Sequence, residues 1–118
     1  MTSRPLPFTV AACAMLASGA LHAAAAAATE FAPPTLFMLA IAAFYALLGA
    51  GLLRAFRGVA WLTFLCVLIG ANGALIEIGL GRFADVWMIA IAGCDAVAGA
   101  ALFVALWRSR GGKALPDN

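Results

Sequence analysis

The chain has 118 residues, of which 66% are hydrophobic and only 10% charged, with a formal net charge of +2. A water-soluble domain of this length needs a polar exterior, which this composition cannot supply. The small positive charge sits at the flanks of apolar segments, so it reads as an orientation signal and excludes a nucleic-acid footprint.

Four apolar stretches are long enough to cross a bilayer, which takes about 20 residues each. They cover 8–28, 35–53, 59–80 and 86–107, and the expected fold is all-α, a single four-helix transmembrane bundle over 1–118. The first stretch follows Arg4 and carries Cys13, Ser18 and His22. Its basic start, apolar middle and Ala-x-Ala sites also fit a cleavable signal peptide, but the apolar run exceeds a usual signal core, which favours a retained span. Thr29-Glu30 and Pro33-Pro34 break it from the second stretch, which carries Tyr45. The segment from Arg54 to Gly58 leads to the third, with Trp61, Cys66, Asn72 and Glu77. The last break, Gly81 to Asp85, contains Arg82 and precedes the fourth, with Trp87, Cys94, Asp95 and Trp107.

Positive residues set the expected orientation. Arg4, Arg54, Arg57, Arg108, Arg110 and Lys113 fall on one side of a four-span chain and only Arg82 on the other, which predicts cytoplasmic termini. Trp61, Trp87 and Trp107 lie near helix ends, where interfacial aromatics anchor a span. The three cysteines have no paired spacing, so neither a disulfide framework nor a metal motif is expected.

The second and fourth stretches align with an offset of fifty: eight of sixteen positions from Phe37 match those from Trp87. Ser18-Gly-Ala-Leu21 similarly aligns with Asn72-Gly-Ala-Leu75. A helical hairpin duplicated in tandem would explain both, its copies related by a pseudo-two-fold axis along the membrane normal. The alignment pairs Ser18 with Asn72 and Tyr45 with Asp95.

Six polar side chains inside the spans form the candidate site: Ser18, His22, Tyr45, Asn72, Glu77 and Asp95. A carboxylate in hydrocarbon costs about 2.5–3.5 kcal/mol on insertion scales, so such residues mark a site or a contact. At 1.5 Å per residue, His22 lies roughly 9 Å and Glu77 roughly 5 Å from the outer edge, with the other four roughly 12–15 Å deep. Small residues share their helix faces: Ala92 and Gly99 with Asp95, Gly73 and Gly81 with Glu77. Such stripes, and Ala42-Ala46-Ala50 and Ala92-Ala96-Ala100, predict faces turned into the bundle.

Several roles remain open for this cluster. His22 could bond to Glu77 or Asp95 and fix the register of the helices, or Glu77 could pair with Arg82. As a polar cavity, the group could relay protons, bind a quinone or other ligand, or hold a divalent metal, although no spacing enforces metal convergence. No catalytic residue and no cofactor is assigned. The small multidrug transporters have similar length and helix number, but their essential glutamate lies in the first helix, where this chain has none.

Gly19-Ala-Leu-His22 at the end of the first span, followed by Phe31 and Pro33-Pro34, resembles the small four-helix bacterial membrane proteins of the DoxX-like group. That resemblance implies association with redox or quinone-linked membrane systems, often as a partner subunit. It departs from the group where Ala23–Ala28 replaces the aromatic after the histidine. The resulting expectation is a multi-pass protein of the bacterial inner membrane, surrounded by lipid and bound to other membrane subunits or to a second copy. An accessory subunit of an energy-transducing or redox assembly ranks ahead of a homodimeric proton-coupled transporter or quinone/ligand-binding protein, and an enzyme comes third.

Overall fold

The structure, a computed structural model, describes residues 6–108. Among them the chain forms four helices and no strand: α1 (Leu6–Ala28), α2 (Phe37–Leu53), α3 (Arg57–Leu80) and α4 (Asp85–Arg108), with a 3₁₀ turn at Pro33–Thr35. Each apolar stretch becomes one helix, and the ends shift for identifiable reasons. Proline lacks an N–H, so Pro33 and Pro34 suit a first turn but cannot sit further in; the α-helix proper begins at Phe37. α3 starts earlier than expected because Phe56 is extended and its carbonyl accepts from the Ala60 N–H.

Left-handed residues end three of the helices. Gly81 (φ 72°) follows α3, its N–H on the Glu77 carbonyl. Ala55 (φ 58°) follows α2, and Glu30 and Phe31 (φ 57° and 56°) follow α1. Their amides and those beside them return to the last helical carbonyls: Phe31 N–H to Ala26, Phe56 N–H to Gly51.

The helices run up and down, giving an elongated body of 47 × 23 × 17 Å. α1 and α4 form the middle pair, with α2 packed along α1 and α3 along α4. Small residues explain why α1 can serve two neighbours. A Cβ on Gly19 would lie 3.1 Å from the Ala42 carbonyl oxygen, and one on Gly49 would lie 3.0 Å from Leu16. The buried stripe of α1 (Phe8, Ala11, Ala12, Met15, Ser18, Gly19, His22, Ala25, Ala26) has helical spacing throughout. With Leu48, Leu52, Leu102 and Leu106, its first half builds the main apolar core.

The outside is as apolar as the inside. Leu47 is 71% exposed and Ile69 74%, with Leu65, Leu68, Leu75, Ile76 and Ile89 also on the surface. Helices α1, α3 and α4, and α2 taken together with its 3₁₀ turn from Pro33, are long and apolar enough to cross a bilayer. Arg54, Arg57 and Arg108 lie at the end shared by the 54–56 turn, and Arg82 lies at the opposite end. Arg4, Arg110 and Lys113 lie outside the described residues.

Two expectations about faces need correction. Ala46 and Ala50 of α2 and Ala96 and Ala100 of α4 are exposed, because the buried sides run instead through Met38, Tyr45, Leu48 and Leu52 in α2 and through Met88, Ile91, Asp95, Ala98 and Leu102 in α4. A duplicated hairpin would also make the α1–α4 and α2–α3 seams equivalent. Instead α1 and α4 pack closely, whereas α2 and α3 meet near their connection, at Gly51 and Val59, and part towards the other end.

Candidate functional site

The parting of α2 from α3 leaves a cavity of about 300 Å³ in the half of the bundle that ends at Arg82. Phe37, Met38, Ile41, Phe44 and Tyr45 line it from α2, and Cys66, Ile69, Gly70, Gly73, Ala74 and Glu77 from α3. His22 of α1 and Met88 and Ile91 of α4 close its back. Phe44 and Ile69 are exposed to the surroundings of the helices, so the cavity opens sideways, not only at the end.

Behind it lies a hydrogen-bonded group. Asp95 is 1% exposed, and each carboxylate oxygen accepts one bond. Ser18 Oγ donates to Oδ1 at 2.9 Å, and Tyr45 Oη donates to Oδ2 at 3.2 Å. One carboxylate thereby ties α1, α2 and α4 together. It lies on α4 where the α1 backbone comes near, and Tyr45 reaches it from α2 by passing α3 at Gly70. A Cβ on Gly70 would run into Tyr45 Oη and lie 2.7 Å from Asp95 Oδ2. No other residue fits there, so Gly70 is as much a part of this arrangement as the residues with polar side chains.

His22 joins the group through its ring and not through either carboxylate. Its Nδ1 donates to the Ser18 carbonyl at 2.7 Å, one turn back on its own helix. In a neutral imidazole this leaves Nε2 as an acceptor at the opposite edge of the ring. The ring packs edge-on against Tyr45, with centroids 5.0 Å apart. The expected bond from His22 to Glu77 or Asp95 is not made, because the nearby Ser18 carbonyl takes Nδ1 at little conformational cost.

Glu77 faces a different partner. Both its oxygens bond to Arg82, one from Nε at 3.0 Å and the other from Nη2. These bonds raise the Arg82 pKa above its ordinary value. Arg82 also lies 5.5 Å above the Phe37 ring, so it sits beside two residues, Phe37 and Glu77, that line the cavity. Asn72 stays apart from the group. It is exposed, and its Nδ2 donates to the Leu68 carbonyl at 2.7 Å, so the suggested equivalence with Ser18 does not extend to position in the bundle.

Gly70 and Thr63 escaped the sequence reading, and Cys66 entered it only as one of three cysteines without paired spacing. Glycine within an apolar helix costs about 1 kcal/mol against alanine, so Gly70 and Gly73 in α3 carried a signal of close approach or open space. Gly70 is the close approach; a Cβ on Gly73 would meet nothing within 4 Å. Thr63 is fully buried, and its Oγ1 has no partner among the described residues. No three potential metal ligands converge among those residues. Compared with protein-family models, curated proteins and solved structures, the chain matches none.

Proposed function

We propose that this chain is a small multi-pass membrane protein whose working part is the lateral cavity between α2 and α3, and that it binds a small apolar molecule there. The observation that carries this reading is the cavity itself. Its walls are almost wholly apolar, a few polar groups converge at its back, and it opens towards the surface that lipid would cover. Ligand sites of small molecules have this composition, beginning at volumes of about 300 Å³. Lateral access would let a molecule dissolved in the hydrocarbon enter without crossing water. The exposed leucines and isoleucines support insertion, since a contiguous apolar surface of this extent has no counterpart on soluble monomers. Arg54, Arg57 and Arg108 at one end support cytoplasmic termini in a bacterial inner membrane.

A second reading draws on the outer face of α4. Ala96 and Ala100 are exposed, and Gly93 adjoins a shallow groove with Ala14, Cys13 and Thr9 of α1. Small residues on an outer face suit packing against another membrane helix. An accessory subunit within a larger redox or energy-transducing assembly, the role implied by the DoxX-like resemblance, would use this face while the cavity serves its ligand. A homodimer would use it equally well.

Native mass spectrometry of the full chain, extracted gently from its own membranes, tests both readings. Adducts of small mass that disappear in Gly73→Leu, which fills the cavity, and persist in Gly79→Leu, which also meets open space, support the ligand reading. Foreign subunits in the complex support the accessory role. A bare chain in all three proteins would overturn the ligand proposal.

A further inference from the structure

The polar groups on the cavity wall share a property that follows from where their hydrogens go. A neutral His22 commits Nδ1–H to the Ser18 carbonyl, so its ring then offers only the Nε2 lone pair. Tyr45 commits its O–H to Asp95, so its oxygen offers only lone pairs, beside Gly70. Glu77 has two acceptor oxygens, each already bonded to Arg82. Cys66 adds a thiol, a weak donor. The strong hydrogen-bonding capacity left at the back of the cavity is therefore of one kind: it accepts.

Charge narrows the ligand further. Asp95 lies behind Tyr45 and does not line the cavity, and Glu77 is neutralised by Arg82 at its outer end. A cation entering the cavity would find no free counter-charge, and it would approach the Arg82 guanidinium. The Phe37, Phe44, Tyr45 and His22 rings, by contrast, offer aromatic surface to a flat apolar body.

Resting on the ligand-binding reading above, we propose that the cavity takes a neutral ring-bearing lipid alcohol of the phenol type, whose hydroxyl donates to His22 Nε2 or Tyr45 Oη. Ligands of the same shape whose oxygen can only accept bind more weakly, because they leave both wall acceptors unpaired.

Three probes differing at one group test this in the wild-type protein: 4-hexylphenol, its methyl ether, and 4-hexylbenzylamine, which is a cation at neutral pH. Binding is measured in nanodiscs, with Gly73→Leu as the baseline for partition into lipid. The phenol is expected to bind about fivefold to tenfold more tightly than the ether, the worth of one net hydrogen bond. His22→Phe, or Tyr45→Phe if the other acceptor is used, should erase that preference. Equal binding of phenol and ether would overturn this proposal and leave the ligand-binding reading standing. So would tightest binding of the amine, which would point to a counter-charge. A preference surviving both variants would also overturn it, because the hydroxyl would be held elsewhere. No binding above the Gly73→Leu baseline by any probe would sink the ligand-binding reading as well.

Discussion

Where α1 meets α4, small residues and a buried Ser18–Asp95 bond draw two backbones together; where α2 meets α3, helices of like composition enclose a cavity of about 300 Å³. Both seams join the two hairpins, and both contain alanine, glycine and bulky aliphatics. The closed pair buries its small residues: Ala11 and Ala25 are fully buried in α1, as is Ala98 in α4. The open seam places Gly73 opposite nothing, and uses Gly70 to admit a side chain from α2. Small residues permit close packing but do not enforce it. In the open seam the Tyr45 ring reaches Asp95 past Gly70, and the cavity lies beside it.

If the difference between seams is one of packing, core truncation should separate them most. Leu102 is fully buried on α4 and Phe44 on α2 is 42% exposed. Leu102→Ala is expected to destabilise by about 2–5 kcal/mol, as for other buried leucines. Phe44→Ala should cost under about 1 kcal/mol, since its ring is only half surrounded. Unfolding by sodium dodecyl sulfate, followed by tryptophan fluorescence, measures both. Equal costs would mean that the α2–α3 seam is closed in the folded protein.

The two glycines of α3 sharpen the contrast within a single seam. Gly70→Val is expected to cost about 1–3 kcal/mol, because the added carbons meet the Tyr45–Asp95 bond. Gly73→Leu enters open space and should not destabilise; it is expected to gain up to about 1 kcal/mol of helix propensity while occupying the cavity. The same unfolding assay distinguishes them. A large cost at Gly73 with none at Gly70 would reverse the assignment of close approach and open space.

A smaller effect is expected from the bonds to Asp95. Ser18→Ala and Tyr45→Phe each remove one donor, at about 1 kcal/mol apiece. Combined in a double-mutant cycle, they should couple by 0.5 kcal/mol or more if one carboxylate holds both, by the usual behaviour of residues in one network. Strict additivity would show that the hydroxyls act independently, and that Asp95 does not tie three helices.

Much of this architecture can be read from residue order. The four helices follow from runs of apolar residues broken at Pro33-Pro34, Arg54 to Phe56 and Gly81 to Ala84, because a backbone sheathed in apolar side chains pairs its polar groups most readily within the helix. The convergence of Ser18, Tyr45 and Asp95 follows from a simple rule, that polar groups in an apolar setting seek one another. The rule does not specify partners. His22 found the Ser18 carbonyl on its own helix, and Asn72 found that of Leu68, since a backbone acceptor one turn away competes with any distant side chain. The repeat misled in a similar way. Matching residues at Phe37–Leu52 and Trp87–Leu102 record similar helices, but Tyr45 and Asp95 occupy equivalent positions in one hydrogen bond, as donor and acceptor, and a bond between unlike partners cannot preserve the equivalence of the seams.

The smallest expected effect concerns the ion pair at the outer end of the open seam. Arg82 has 40% of its side chain exposed, and Glu77 has 11%. An exposed pair of this kind is strongly screened, so Glu77→Gln should leave the unfolding midpoint where it is in the wild-type chain. If the cavity is held open by the course of the backbones, the phenol should bind Glu77→Gln with the affinity it shows for the wild-type chain. A loss of about tenfold, or 1.4 kcal/mol, would instead mean that the carboxylate belongs to the binding site. The acceptors at His22 and Tyr45 would then be only part of what the ligand meets, and the open seam would owe its opening to a charge pair that the closed seam lacks.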